Sequence, residues 1–339
     1  MTHGRGPRVR KALLGGCAWS LLGLLPGCGG GGGSGDSSQP VPAVAASVAG
    51  GALVYMTGSE LRHLDLASGQ QRATPTDLSA SFNKLGYGAG QFTLLLNPPL
   101  SASGQFSTVW QRWTPQGFER TAGLAYPLQA RLHGGSNISS RVQPSPDGAR
   151  ISFSSTEFEA LGATPRNYLY VVEAGTGDAF TLAGYTDAVW VDAQSLVGVK
   201  EEGLFRVLWQ PGGLQETRIA GVDPAAAGAA PHAPSLSPDG RSVAFVQDGA
   251  VWRIGIDGQG LSQLTARRAT PPTWPTWSPD GQHLAVVERA CRSSTGFDFP
   301  PVHRISATQA LQVLDDAPVI KDQSGSPAWS CAPVYWIPA

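Results

Sequence analysis

The side chains best suited to metal binding or acid–base chemistry are scattered along the sequence. Five histidines follow the N-terminal segment: His63, His133, His232, His283 and His303. None of them is spaced as His-x-x-His or as another short metal-binding pattern. No Gly-x-Ser-x-Gly pattern, which would hold a serine nucleophile on a sharp turn, is present. The sequence therefore predicts no catalytic residue, no metal site and no cofactor.

Three aspartates lie in a short motif that recurs along the chain. The letters SPDG begin at Ser145, Ser237 and Ser278. Serine first, proline second and glycine last suit a type I turn, in which the aspartate accepts hydrogen bonds from nearby backbone amides. We interpret these aspartates and the glycines that follow them as parts of structural turns: Asp147, Gly148, Asp239, Gly240, Asp280 and Gly281.

The four cysteines divide into two pairs with different expected roles. Cys28 ends the letters LLPGC, which resemble a bacterial lipobox, so we expect Cys28 to be lipidated. The alternative is an ordinary signal peptide followed by an incidental cysteine, and Cys17 would be lost with the signal in either case. Cys291 and Cys331 remain, and two thiols in an oxidising compartment favour a disulfide. Two free thiols are the alternative.

The first 48 residues indicate export and tethering. Residues 1–27 place four basic residues before a 14-residue apolar run, too short to span a bilayer comfortably, and predict a lipoprotein signal peptide. Residues 28–48 are rich in Gly, Ser and Pro and predict a flexible tether. Because Gly29 rather than Asp follows Cys28, we expect an outer-membrane lipoprotein that faces the periplasm, with cell-surface exposure as the alternative.

The charge balance argues against nucleic acid as a partner. Cleavage before Cys28 leaves 20 Lys and Arg against 25 Asp and Glu, a formal net charge of −5. Binding to phosphates needs a basic surface. The expected contacts are therefore with the membrane, through the lipid anchor, and with a protein or peptide of the cell envelope.

Short strands are the elements that must position these residues. With 43 Gly, 27 Pro and only 14% charged residues, the composition favours a turn-rich all-β chain. Each SPDG precedes an apolar strand, and WVDAQSLVGV from Trp190 is a worn copy midway between the first two motifs. A second pattern, an apolar strand before a turn, recurs six times between residues 61 and 305, as LRHL, VWQR, LYVV, LFRV, VWRI and VHRI.

These repeats predict a six-bladed β-propeller over residues 49–339, with four-stranded antiparallel blades. The first unit, from Ala52, has no innermost strand of its own, and SPAWS at 326–330 resembles an innermost strand with no further strands after it. We therefore expect segment 326–330 to join the first blade and close the ring. A seventh, partial blade containing the tail PVYWIP is the alternative. Three tryptophans that precede the turns are expected to pack between blades: Trp190, Trp277 and Trp329.

The repeats SPDGRSVAFV…AVWRIGIDGQGLSQLT and WSPDGQHLAVV resemble those of the TolB-like six-bladed propellers, which are related in strand plan to WD repeats. The resemblance covers residues 140–290 well and residues 50–135 faintly. It implies the propeller fold and a non-enzymatic scaffold that binds a protein or peptide in the periplasm. The chain has no α/β domain before the repeats, so the resemblance does not imply membership of the Tol system.

The loops between second and third strands are expected to carry recognition. They are long in the second, third and sixth units, and in a propeller they share one rim, where long loops on a rigid scaffold usually bind partners. The candidate binding residues there are apolar and acidic: Glu157, Phe158, Glu159, Phe297, Asp298 and Phe299. Variable insertions without a partner are one alternative. The other is an enzyme of the lyase or lactonase type with its site in the central channel.

Overall fold

Short strands joined by turns make up the protein. The computed structural model describes residues 50–57, 60–75, 83–88, 91–96, 108–114, 117–120, 136–138, 141–157, 164–173, 176, 178–210, 213–219, 230–290 and 299–338. Within these residues the chain is all-β, and its one helical element is a 3-10 turn at Leu314–Asp316. The described part contains no helix with the length and apolarity needed to span a bilayer. The predicted signal peptide (1–27) and tether (28–48) lie outside it.

The described strands pair into six antiparallel sheets, numbered here in chain order. Sheet one contains β1 (Ala52–Thr57), β2 (Glu60–Asp65), β3 (Gln71–Pro75) and β24 (Tyr335–Ile337). Sheet two contains β4 (Asn83–Gly88), β5 (Gln91–Leu96), β6 (Thr108–Thr114) and β7 (Gly117–Arg120). Sheet three contains β8 (Ser136–Ile138), β9 (Gln143–Pro144), β10 (Arg150–Glu157), β11 (Arg166–Glu173) and β12 (Ala179–Ala183).

The remaining sheets repeat the same order of strands. Sheet four contains β13 (Tyr185–Trp190), β14 (Ser195–Lys200), β15 (Gly203–Gln210) and β16 (Gly213–Arg218). Sheet five contains β17 (His232–Leu236), β18 (Ser242–Gln247), β19 (Ala250–Gly255) and β20 (Ser262–Gln263). Sheet six contains β21 (Thr273–Trp277), β22 (His283–Val287) and β23 (Val302–Ser306). The predicted all-β class is confirmed, and four of the six described sheets have the predicted four antiparallel strands, whereas sheet three has five and sheet six has three.

Alternating side chains of one strand bury themselves against two different sheets, as the two faces of a strand allow. In β18, Ala244 and Val246 pack on sheet six, whereas Val243 and Phe245 pack on sheet four. The same division holds for β1, which contacts sheet six through one face and sheet two through the other. Sheets three and four share a further core. Each small sheet is therefore covered on its faces by other sheets.

Two glycines let sheets two and three approach closely. A Cβ atom on Gly86 would overlap the carbonyl oxygen of Val142, and one on Gly88 would lie 2.5 Å from the carbonyl oxygen of Pro144. In both cases the Cβ atom would lie closer to a carbonyl oxygen than a real Cβ atom can. The letters GYG at 86–88 therefore keep β4 against the backbone beside β9.

The C-terminal strand that joins sheet one is β24 rather than the predicted segment 326–330. Tyr335 pairs with Val54, Trp336 with Leu53 and Ile337 with Ala52. Segment 326–330 instead lies along the free edge of β23, where Val302 donates to the Ala328 carbonyl and Ser330 donates to the Pro300 carbonyl. The physical reason is the register: only the tail beyond Val334 places consecutive large apolar side chains on both faces of sheet one.

The prediction for Trp329 is therefore wrong as well. Trp190 and Trp277 are buried between sheets, but 40% of Trp329 is exposed. Trp336 occupies the buried position in sheet one, paired with Leu53 as Trp190 is paired with Leu196 and Trp277 with Leu284. A tryptophan opposite a buried leucine is thus a repeated feature of sheets one, four and six.

Gly198 gives a test of the packing within sheet four. A Cβ atom at this position would lie 2.4 Å from Cε1 of the buried Tyr185 ring, whose hydroxyl donates to Glu216 over 2.8 Å. Gly198→Ala should therefore lower the free energy of unfolding by about 1–3 kcal/mol, measured by urea denaturation. Gly50→Ala, which meets no atom within 4 Å, should have little effect. Equal stability of the two variants would contradict this packing.

Candidate functional site

A cavity of about 280 Å³ is lined by strands from all six sheets. In five sheets the lining strand stands at one end of the pairing order (β24, β4, β13, β17 and β21), and in sheet three it is β9, which pairs with β10. We call these six strands the inner strands. We call the space between them the inner cavity. Its lining consists of Tyr87, Arg141, Gln143, Val189, Ser235, Leu236, Pro238, Thr276, Trp277, Pro279, Tyr335, Trp336 and Pro338.

The repeat explains why these residues meet. Five lining residues hold the same place in their sheets, because each pairs with the strand next to its inner strand. They are Gln143, Val189, Ser235, Thr276 and Tyr335. In sheets four and six the residue that follows is a tryptophan, which bonds to the inner strand of the preceding sheet. The Trp190 indole donates to the Gln143 carbonyl over 2.9 Å, and the Trp277 indole donates to the Ser235 carbonyl over 3.0 Å. These indole bonds fix the spacing between inner strands.

Arg141 is the charged residue among the described residues of the lining. It is 5% exposed, and its Nη2 lies 3.6 Å from Oδ2 of the buried Asp187. Arg141 also donates to the carbonyl oxygen of Pro234 and lies 5.5 Å from the centre of the Trp274 ring. One guanidinium from sheet three thus contacts sheets four, five and six.

The backbone is unusual at this end of the inner strands. Ala233 and Trp274, which stand four residues before the serines of their SPDG turns as Arg141 does, both have φ of 51°. Non-glycine residues rarely adopt this left-handed conformation. In both strands the pairing register shifts just after these residues, between His232 and Ser235 and between Thr273 and Thr276. The bulges turn the strand ends toward Arg141.

Tyr335 lies close enough to Arg141 and Asp187 to feel both charges. Burial raises the pKa of Tyr335, the Arg141 charge lowers it and the Asp187 charge raises it again. Its ring packs edge-on against Phe92, with centroids 5.8 Å apart, and Phe92 lies 4.8 Å from Tyr87. Tyr335 therefore stays protonated at neutral pH and presents a hydroxyl within an aromatic wall.

The opposite end of the inner cavity is made of prolines. Pro238, Pro279 and Pro338 follow their inner strands, whereas Arg141 precedes its own. Pro238 and Pro338 are exposed and Pro279 is half-buried. Because β9, β17, β21 and β24 run in the same direction through the lining, the cavity has a polar end at Arg141 and an accessible proline end.

The described histidines lie away from the inner cavity. His63, His232, His283 and His303 belong to four different strands, and none of them lines the cavity; His133 lies outside the described residues. Burial lowers the pKa of His63 and of His232. Among the described residues no group of three or more His, Cys, Asp or Glu side chains could hold a metal ion.

The predicted binding loops are described only at their ends. Glu157 ends β10, paired with Arg166, and Phe299 is half-buried before β23. Phe158, Glu159, Phe297 and Asp298 lie outside the described residues. On the same side of sheets three and four, a groove of about 480 Å³ includes Arg166, Glu201 and Glu202. Its carboxylates give the described part of this rim a partly acidic character.

Cys331 is disulfide-bonded, and its partner lies outside the described residues, as do Cys28 and Cys291. Cys331 directly follows Ser330, whose amide donates to the Pro300 carbonyl just before β23. The predicted pairing of Cys331 with Cys291 stays a prediction.

The SPDG aspartates lie in tight turns. Gly148, Gly240 and Gly281 have φ near +70° and donate to the carbonyls of Ser145, Ser237 and Ser278 over 2.8–2.9 Å. Hydrogen bonds from the Ser237 hydroxyl and the Arg241 amide lower the pKa of Asp239. The three aspartates point into their own turns, and none lines the inner cavity.

Acid should weaken the contribution of these turns. Because the pKa of Asp239 is lowered in the folded state, its stabilisation is complete above its unfolded pKa of about 3.9 and is lost as the pH falls through the folded value. Ser237→Ala removes the hydroxyl donor. Urea midpoints should show a larger gap between wild type and this variant at pH 7 than at pH 3. An equal gap at both values would show that the carboxylate does not use the bond.

Comparisons with known proteins show no family for this chain. No family model matches the sequence, and no curated protein matches it significantly. Among solved structures, a TolB-like protein of Agrobacterium tumefaciens is 18% identical over 86% of this chain and 99% of its own, with a TM-score of 0.45. An oligogalacturonate lyase of Vibrio parahaemolyticus is 12% identical over 80% and 71%, with a TM-score of 0.44. A periplasmic gluconolactonase of Pseudomonas aeruginosa is 15% identical over 83% and 82%, with a TM-score of 0.47. At such identities and scores these structures carry no functional inference for this chain.

Proposed function

We propose that the protein is a cell-envelope lipoprotein whose six sheets form a closed six-bladed β-propeller and bind a protein or peptide. The observation that carries the proposal is the inner cavity, to which all six sheets contribute and which is lined by aromatic, proline, amide and hydroxyl side chains around one arginine. Such a lining recognises a ligand by shape and hydrogen bonding, as concave binding sites do.

The packing between sheets supports the ring. Leu53 and Tyr55 of sheet one share a core with Ala285 and Val287 of sheet six, so the first and last sheets touch. The other neighbours share cores in chain order, and Gly86 brings sheet two against sheet three. In a propeller of this kind, β24 links the two chain ends within one sheet and leaves only short, protected edges.

A binding role fits the lining better than an enzymatic one. Acid–base catalysis requires a titratable group within hydrogen-bond reach of the reacting atoms. Among the described residues that line the cavity, none is a histidine, an aspartate or a glutamate, and Asp187 behind them is paired with Arg141. A lyase or lactonase would need its acid–base group from residues outside the described part of the chain.

The cellular address in this proposal follows from the N-terminal sequence. A signal peptide over residues 1–27, lipidation at Cys28 and a tether over residues 28–48 would hold the domain at the outer membrane, facing the periplasm. Globomycin, which blocks lipoprotein signal cleavage, should make the unprocessed chain accumulate. The variant Cys28→Ser should appear in the soluble periplasmic fraction. Membrane retention of that variant would refute the anchor.

Site-specific crosslinking in the native envelope tests the binding function. A photoreactive residue at Pro238, at the proline end of the inner cavity, and another at Phe158, on the loop rim, should capture a partner. Thr217, which is exposed on the outer strand β16, is the matched control. A partner captured from Pro238 or Phe158 but not from Thr217 supports the proposal. Equal capture from all three positions, or none from any, would contradict it.

A further inference from the structure

Two polar side chains in the lining of the inner cavity are buried without a hydrogen-bond partner. Gln143 is 7% exposed and Ser235 is 8% exposed. Their backbone carbonyls accept bonds from the indoles of Trp190 and Trp277. Among the described residues, however, no group bonds to the Gln143 side-chain amide or to the Ser235 hydroxyl. Because an unbonded buried polar group costs free energy, we expect an occupant of the cavity to supply these bonds.

Further hydrogen-bonding groups stand around the same space. Gln143, Ser235 and Thr276 hold equivalent places in sheets three, five and six. The Thr276 hydroxyl donates to the Val334 carbonyl over 2.7 Å, so its oxygen can only accept a further bond. Tyr87 of sheet two adds a hydroxyl, and burial raises its pKa. Four sheets thus contribute uncharged hydrogen-bonding groups to the lining.

The bonding capacity of these groups selects the chemistry of a ligand. The Gln143 amide and the Ser235 hydroxyl both donate and accept, whereas the Thr276 oxygen only accepts. A carboxylate only accepts, so it would leave Thr276 and the side-chain oxygen of Gln143 without a donor. An ammonium group only donates, so it would leave the Gln143 NH₂ group without an acceptor. A carboxamide does both and can satisfy all three side chains.

The charges beside the cavity also favour an uncharged ligand group. Arg141 is held by the Asp187 carboxylate and by the Pro234 carbonyl. Asp187 is 4% exposed, so this buried pair offsets its own two charges. A charged ligand group would lose its hydration on entering the cavity without gaining a counter-charge from the described lining.

We propose that the inner cavity binds the side-chain carboxamide of an asparagine or glutamine in a peptide, through hydrogen bonds to Gln143 and Ser235. This inference rests on the proposed peptide-binding function and names the chemical group that is recognised. Trp277 and Trp336 add aromatic surface for the apolar part of the incoming side chain. The volume of about 280 Å³ lies just below the roughly 300–1,000 Å³ of small-ligand sites, which suits a single side chain.

Fluorescence anisotropy with defined peptides tests this inference. The mature full-length protein, purified in detergent, is titrated into fluorescein-labelled peptides with an amidated C-terminus, in which one variable residue stands between alanines. The variable residue is Gln, Asn, Glu, Lys or Leu, so the hydrogen bonding changes more than the size. We expect the better of the Gln and Asn peptides to bind about tenfold or more tightly than the other three. The reason is that Glu and Lys bring an uncompensated charge and Leu leaves buried polar groups unpaired.

Two variants connect the binding to the cavity. Gln143→Leu keeps a similar volume and removes the amide, so it should abolish the preference for a carboxamide over leucine. Gln210→Leu is the matched control, because the Gln210 amide donates to Gln215 at an exposed position outside the cavity. Stability gives a second readout. Since the Gln143 amide has no partner among the described residues, Gln143→Leu should keep or raise the urea midpoint, which a purely structural role would lower.

Equal binding of the Gln, Glu and Leu peptides, or no binding of the Gln and Asn peptides, would overturn the inference. A carboxamide preference that survives in Gln143→Leu, or a lower urea midpoint for this variant, would do the same. Glucose serves as an uncharged competitor that bears hydroxyls. If it displaces the carboxamide peptide at equal concentration, the ligand is a sugar and the proposed peptide group is wrong.

The crosslinking at Pro238 and Phe158 judges the broader binding function independently. A partner captured there, alongside peptides that all bind equally, would refute the carboxamide alone. Carboxamide-selective binding that Gln143→Leu abolishes and Gln210→Leu retains would support it.

Discussion

Deleting residues 334–339 should abolish the cooperative unfolding transition. The deletion removes β24, whose Tyr335, Trp336 and Ile337 are each at most 8% exposed. Burying a large apolar side chain contributes about 1.5–3 kcal/mol, so three of them approach the 5–15 kcal/mol that typically stabilises a whole domain. Urea denaturation followed by tryptophan fluorescence should show a broad, non-cooperative change.

A pair of tryptophan variants separates this effect from simple shortening of the chain. Trp336→Ala should lower the free energy of unfolding by about 3–5 kcal/mol, because the indole fills the core shared by sheets one and six. Trp329→Ala, only seven residues earlier, should cost about 0.5 kcal/mol or less away from such a core, since 40% of its surface is exposed. A larger loss from Trp329→Ala would favour segment 326–330, rather than β24, as the C-terminal segment that stabilises sheet one.

The strands and their sheets could be predicted because their signals are local. Each SPDG turn fixes its own geometry through the hydrogen bond from the glycine amide to the serine carbonyl. The six apolar motifs that precede a turn, from LRHL to VHRI, all lie in strands. Each of these signals lies within a short segment, so it needs no knowledge of distant contacts. The sequence was therefore informative about class and pairing within each sheet.

The C-terminal strand of sheet one could not be predicted, because its pairing with β1 joins opposite ends of the chain. SPAWS and PVYWIP are both short and apolar, and each contains a tryptophan. The choice between them depends on which tail fits between Leu53 and sheet six, a contact nearly 300 residues apart in sequence. Nothing within SPAWS or PVYWIP indicates which of the two pairs with sheet one.

The polar end of the inner cavity was missed for a different reason. Arg141, Ala233 and Trp274 stand four residues before the serine of SPDG, and Asp187 stands four before Val191, the equivalent residue of the worn copy. A search for repeats detects positions where the copies have similar residues, whereas this site consists of different residues at one equivalent position of each copy. Comparing the repeats column by column for such differences would have found it.

Arg141→Met should destabilise the protein by about 3–5 kcal/mol, the cost of leaving a buried charge without its partner. Asp187 is 4% exposed, so water cannot replace the guanidinium. The variant also loses the bond to the Pro234 carbonyl and the contact with Trp274, which join sheet three to sheets five and six. Urea denaturation at pH 7 measures the loss.

The double variant Arg141→Met with Asp187→Leu identifies the cause. If the unpaired carboxylate dominates, removing it as well should recover much of the lost stability, since an apolar pair can replace a buried ion pair at little cost. The coupling energy from the double-mutant cycle should then exceed about 1 kcal/mol. Additive losses would instead mean that Arg141 acts through its contacts with Pro234 and Trp274, and the ion pair would have no stabilising part in holding the inner strands together.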